Sequence, residues 1–236
     1  VAPVFQTLDE TQGGWPEGIG YWNYGMRYGF MYLLSHERAT GHPHPLMGME
    51  GTGQTLAFPL DFCPHGQPCG FGDSNHWQPL PFHYRAARRL ERTGVVGALD
   101  AYLDDHGVPL YGQWPNAVEW LALHPRAVAE PQPLSADRLK AKLYEGLDWG
   151  VLADPSTEPG LHMTVRGGTT QVPHGHRDLL SFHCVVGQER LVASLGPAQY
   201  LDTTFSPRRD ELFEISPFSK NTILINGVGI TRPAEV

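Results

Sequence analysis

Chemistry is most concentrated in Val172-Pro173-His174-Gly175-His176-Arg177-Asp178-Leu179-Leu180-Ser181, where two imidazoles and a carboxylate follow one another as His-x-His-x-Asp. Imidazole exchanges a proton near neutral pH and is also the commonest metal ligand, so the cluster suits either a general base or a metal site. The spacing alone leaves both open. In an extended backbone alternate side chains share a face, which predicts that His174, His176 and Asp178 project from one side of a strand and Arg177 and Leu179 from the other. Pro173 and Gly175 predict that this strand is entered from a bend, where a scaffold presents side chains to a cleft. The bland alternative is a satisfied polar strand end.

A second stretch carries the residue types of a sugar-binding surface. Gly13-Gly14-Trp15-Pro16-Glu17-Gly18-Ile19-Gly20-Tyr21-Trp22-Asn23-Tyr24 interleaves aromatic rings with Glu17 and Asn23, and its glycines predict a backbone that approaches a ligand closely. An aromatic core turn is the competing reading. From Trp22 to about Arg38, Met26, Phe30, Met31, Leu33 and Leu34 recur at helical spacing, so Tyr21 stands at the entrance of a helix that ends before Gly41.

The elements around these stretches divide the chain. Residues 1–12 carry little pattern, and 39–81 read as irregular loop with short helices, with His42 and His44 as solvated loop imidazoles. Helical spacing returns over Phe82–Arg92 and Val95–Asp105, stopped by Gly107, and again from Trp114 to Leu123. Residues 125–133 read as a connector. After about residue 135 the pattern becomes short alternating or apolar runs: Trp149–Ala153, His162–Arg166, Leu180–Val186, Glu189–Ser194, Glu211–Ile215 and Thr222–Ile225. These predict antiparallel strands of a sandwich.

Composition excludes some classes. The 236 residues carry 17 Lys and Arg against 25 Asp and Glu, a net charge of -8, so no basic nucleic-acid surface is evident. Charged residues make up only 18%, with 27 Gly and 21 Pro, which fits a loop-rich globular protein and neither a helical bundle nor a disordered chain. No apolar run reaches membrane-spanning length. The chain begins at Val1 without a leader pattern and reads as an internal piece of a longer protein. Cys63 and Cys69 bracket a short loop that a disulfide would close, and with His65 alone between them they make a poor zinc site.

Taken together, the Gly-Trp-Pro-Glu-Gly-x-Gly-Tyr-x-x-Tyr loop at 14–24, His-Gly-His-Arg-Asp-Leu-Leu-Ser-Phe at 174–182 and Asn221-Thr222 leading to Ile225-Asn226-Gly227 resemble the heparinase II/III family of polysaccharide lyases. Phe71-Gly72-Asp73-Ser74 also looks like that family's. The resemblance implies an α+β multidomain protein: the C-terminal part of an incomplete α/α toroid over 1–130, then the first strands of an antiparallel β-sandwich over 131–236, with the cleft between them. It implies early toroid helices before Val1 and most of the sandwich after Val236. The reaction implied is β-elimination at a uronic acid within an anionic polysaccharide or oligosaccharide, in a periplasmic or secreted protein. The remaining segments of the parent chain are the expected partners, together with a homo-oligomer as an option.

Carried over by motif, Tyr21 matches the catalytic tyrosine, with Tyr24 close by, and His174 the catalytic histidine. Glu17, Tyr24, His176, Asp178, Tyr200 and Lys220 are the implied substrate-binding set, Asp178 as an orienting partner. His176 matches a histidine that binds a structural metal in some members. Here Ser194-Leu195-Gly196 replaces their aspartate and Lys220 their histidine, so zinc at His176 is disfavoured and no cofactor is expected. The Lys220 ammonium is expected near the missing ion's position, beside Asp178; a surface lysine is the competing reading. The carboxylate-neutralising Asn or His is expected before Val1, and neither Asn23 nor Asn75 maps to it. Arg166, Arg177, Arg208 and Arg209 are equal candidates for a sugar carboxylate or sulfate. Other readings are a uronate C5 epimerase, a silent glycan-binding protein on the same scaffold and, least supported, a metal-dependent hydrolase.

Overall fold

The computed structural model describes residues 1–106, 119, 141–154, 156, 159–197, 199–230 and 233–236. Apart from Glu119, the helix expected over 114–123, its Gly107 predecessor, the 125–133 connector and the 130/131 domain boundary fall outside these residues.

The architecture is α+β, helices first and one antiparallel sheet after them. Its long element is α2 (Ile19–Thr40), ended by Gly41 in the left-handed conformation at φ 74°, with the Gly41 N–H returning to the Glu37 carbonyl. One face of α2 buries Ile19, Trp22, Met26, Phe30 and Leu33. The others are α1 (Ala2–Glu10), two short helices α3 (Glu50–Gln54) and α4 (Phe58–Asp61), α5 (Pro81–Arg89) and α6 (Thr93–His106). Helix α1 is an addition to the sequence reading: it buries only Phe5 and Leu8, too few positions to register as a period.

Strands β1 (Ala141–Tyr144), β2 (Trp149–Asp154), β3 (Leu161–Arg166), β4 (Phe182–Val186) and β5 (Glu189–Val192) pair in sequence order as a meander. Tyr144 opposes Trp149, Trp149 opposes Arg166, and Thr164 opposes His183. Trp149 and Val151 of β2 and Tyr144 of β1 enter the same core as Phe58, Phe62 and Phe71, so helices and sheet share one apolar interior. The buried face of β3 is polar. His162 bonds the Asp61 carbonyl at 2.9 Å and the Thr164 hydroxyl donates to the Cys69 carbonyl at 2.6 Å, tying the sheet to the helical body.

Three expectations are corrected. Residues 174–181 are not strand: His174 and Leu180 have φ of 58° and 61°, which breaks the extended alternation, and β4 begins only at Phe182. Glu211–Ile215 forms successive 3-10 turns, and Thr222–Ile225 forms no strand, only an isolated Ile225–Val228 bridge. Cys63 and Cys69 are buried free thiols, Cys69 donating to the Gln67 carbonyl.

Candidate functional site

Three segments far apart in sequence are knitted by their backbones. Gly18 has φ 86°, and a Cβ there would lie 2.1 Å from the Phe71 carbonyl oxygen; a Cβ on Gly20 would strike Ser74 at 2.0 Å. The Gly20 N–H donates to the Ser74 carbonyl and the Asp73 N–H to the His174 carbonyl, each at 3.1 Å. The glycines of the 13–20 loop therefore serve close packing of the protein on itself, not the ligand approach that their number predicts. The result is a fixed placement of Tyr21, in the first turn of α2, beside Asp73 and His174.

The Tyr21 and His174 rings stack with centroids 3.7 Å apart and planes 15° from parallel. The Tyr21 hydroxyl shares a 2.8 Å hydrogen bond with that of Tyr200. Phe205, which no sequence motif singled out, closes the aromatic wall, 5.8 Å from the His174 ring and 4.9 Å from that of Tyr200. Partial burial pushes the Tyr21 pKa well above its ordinary value, helped by the Tyr200 bond and the negative charges of Asp73 and Glu17. Tyr21 thus keeps its proton at neutral pH. Glu17 lies on the same loop, where its carboxylate accepts from the Trp15 indole at 3.2 Å, and Tyr24 is exposed one turn along α2.

Asp73 is the hub behind this wall. One oxygen accepts from His176 Nε2 at 2.9 Å and Arg209 at 2.5 Å, the other from His174 Nδ1 at 3.3 Å. Burial would raise the Asp73 pKa, but the His176 and Arg209 bonds outweigh it and hold the carboxyl down to about 2. A carboxylate only accepts, so the neutral tautomer of His174 that fits this contact has its proton on Nδ1 and its lone pair on Nε2. Sequence reasoning noted the Phe71-Gly72-Asp73-Ser74 motif and gave Asp73 no role, because its partners lie about a hundred residues on.

His176 and Asp178 are each 1% exposed, so they stand behind the site and out of a glycan's reach. Asp178 pairs with Arg166 at 2.6 Å, not with either histidine. Burial pushes its carboxyl up, yet Arg166, His176 and Lys220 hold it below the usual carboxylate range. Lys220 donates to His176 Nδ1 at 2.8 Å and to the Leu195 carbonyl. Burial brings the Lys220 pKa down to about 8, opposed by Asp178 and Asp73. His176 is held neutral, chiefly by burial. Its two nitrogens face an ammonium and a carboxylate that is already bound to arginine. Among the described residues no group of three or more His, Cys, Asp or Glu side chains is arranged to hold a metal ion.

The four arginines expected to be equivalent all pair with acids of this chain. Arg166 takes Asp178, Arg177 takes Asp210 at 2.7 Å, Arg208 takes Glu211 at 2.7 Å and Arg209 takes Asp73. Asn23 donates to the Gln78 carbonyl at 3.0 Å, and Asn75 accepts from the Gly70 N–H at 2.8 Å, both as internal ties.

A helical body joined to an antiparallel sheet thus carries a stacked tyrosine–histidine pair backed by a buried carboxylate. Residues 148–235 match the family model described as heparinase II/III-like, C-terminal, and this part of the chain is similar to that family. The match contains His174, His176, Asp178, Tyr200, Arg209 and Lys220; Tyr21 and Asp73 lie before it. A comparison with curated proteins gave no match. Among the described residues no helix is long and apolar enough to cross a membrane.

Proposed function

We propose that the protein is a polysaccharide lyase that cleaves an anionic, uronate-containing glycan by β-elimination at a site of Tyr21 and His174. The observation that carries this reading is the stacked Tyr21–His174 pair, with Asp73 holding the histidine in one tautomer. His174 Nε2 takes the proton from the carbon beside the sugar carboxylate. The electron pair forms a carbon–carbon double bond as the bond to the bridging oxygen breaks, and Tyr21 gives its proton to that oxygen. Tyr21 holds its proton at neutral pH, as an acid must before the reaction, and the neutral tautomer of His174 with its proton on Nδ1 offers Nε2 as the base. Tyr200 and Glu17 border the reacting atoms and contact the substrate.

His176 and Lys220 act behind the site. Lys220 supplies positive charge next to His176 with no metal, and His176 in turn donates to Asp73. The wider architecture in this reading is an incomplete α/α toroid joined to a β-sandwich, and the setting is periplasmic or secreted, where such polymers are met.

The test follows ultraviolet absorbance of the unsaturated product across alginate, glucuronan, heparan, chondroitin and hyaluronan with the full-length protein, beside His174→Ala and Tyr21→Phe. A rise with one polymer that both substitutions abolish, and that dialysis against EDTA leaves intact, is the expected result. A flat trace with solvent deuterium entering the uronate would replace elimination by epimerisation. Loss of activity to EDTA, restored by zinc, would overturn the metal-free arrangement.

A further inference from the structure

Helix α2 continues beyond Tyr21 as an exposed aromatic ridge. Residues 21, 25, 28 and 32 fall within one narrow sector of the helix, because steps of three and four nearly complete a turn. Tyr24 borders that sector. Tyr24, Tyr28 and Tyr32 are 49%, 50% and 45% exposed, unusual for three large rings on successive turns of one helix.

The rings are braced. Tyr24 and Tyr28 meet edge to face at 5.2 Å, the Arg27 guanidinium lies 5.5 Å from the Tyr28 ring centroid, and Tyr32 packs edge to face on His44 at 5.5 Å. Such packing fixes each ring at little further entropic cost when a ligand stacks on it.

Gly25 supplies a second, independent sign. A glycine inside a helix costs about 1 kcal/mol relative to alanine. At Gly29 the Phe5 ring, 3.2 Å from a would-be Cβ, explains the glycine, whereas at Gly25 a Cβ would meet nothing within 4 Å. Protein packing therefore does not require Gly25. It leaves a saddle between Tyr21 and Tyr28, at the position where a sugar ring leaving the Tyr21–His174 pair would rest. Charge agrees, since residues 19–36 contain no Asp or Glu in a chain of net charge -8. Among the described residues the one carboxylate bound to this stretch, Glu119, is paired with Arg27.

We infer that Tyr24, Tyr28 and Tyr32, with Gly25 as the saddle, form a track that binds the glycan beyond the cleaved bond. The inference rests on the reading of the site as a glycan lyase. Phenol rings offer faces to the apolar faces of pyranose rings and hydroxyls to their polar edges. From Tyr21 to Tyr32 the helix rises about 16 Å, enough for a short oligosaccharide.

The experiment compares the full-length protein with Tyr28→Ala, Tyr32→Ala, their double variant, the corresponding Phe variants and Gly25→Leu. Retardation in gels containing each soluble acidic polysaccharide is read beside kcat/KM on a polymer and on the shortest cleaved oligomer. Each Ala substitution is expected to weaken retention about five- to tenfold, with a larger loss of kcat/KM on polymer than on the short oligomer. The Phe variants retain binding, and Gly25→Leu weakens it without lowering Tm. Parental retention by the double variant, or equal losses on long and short substrates, would overturn the track. Retention that depends on the tyrosines without turnover of any polymer would instead sink the lyase reading and leave the track standing.

Discussion

Asp73→Asn isolates the orienting role of the buried carboxylate, because it changes two atoms' chemistry and almost no shape. The oxygen that accepts from both His176 and Arg209 is the natural place for the amide oxygen, since both partners are donors. The amide NH2 then faces His174 Nδ1 and can only donate. His174 must accept there and move its proton to Nε2, the atom required as base. A positioned general base is worth about 10²–10⁴-fold, so kcat should fall by that factor with KM little changed. The carboxyl is held at about 2 against an ordinary 3.8. Loss of the charge should therefore cost about 2 kcal/mol, a drop of several degrees in Tm. The assay is the initial rate of unsaturated product formation at saturating polymer, with circular dichroism and a melting curve on the same preparation. A variant that loses stability as stated yet turns over within a few-fold of the parent would refute the orienting argument and make Asp73 purely structural.

Other outcomes follow from the buried charges. Asp178→Ala leaves the Arg166 guanidinium, 1% exposed, without its carboxylate, and should destabilise by about 3–5 kcal/mol in denaturant unfolding, whereas a surface substitution such as Glu189→Ala should not. His83 and His183 are each brought down to about 4, mainly by burial. With the folded pKa below the unfolded one, their contribution is present above about pH 6.5 and is lost as pH falls through about 4. Tm should drop over that window before the carboxylates titrate, and His83→Gln should flatten the drop.

What the sequence revealed depended on how local the cause was. Helix α2 was legible because Met26, Phe30 and Leu33 repeat at 3.6 residues, and Gly41 marked its end. Strands β2 and β3 were legible from alternation, although β3 buries His162, Thr164 and Arg166, whose partners lie elsewhere in the chain. The 211–215 segment looked alternating yet bonds locally, Leu212 N–H to the Arg209 carbonyl and Ile215 N–H to the Leu212 carbonyl, while Pro217 withholds a ladder donor. The motif around His174 was visible, but the positive φ at His174 turns its ring onto Tyr21, and no local rule foretells that stack. Asp73 remained hidden for the same reason, since a hydrogen bond across a hundred residues leaves no periodic trace.

The glycine-tight junction of the 18–20, 71–74 and 174–176 segments also sets when the site comes into being. Asp73 meets His174 across 101 residues, His176 across 103 and Arg209 across 136. Closing such loops costs chain entropy before any contact repays it, so the junction belongs among the slow, late events of folding. During synthesis the Asp73 hub is complete only once the chain through Arg209 has emerged. Helical signal should therefore recover early in refolding, with catalytic competence trailing behind it.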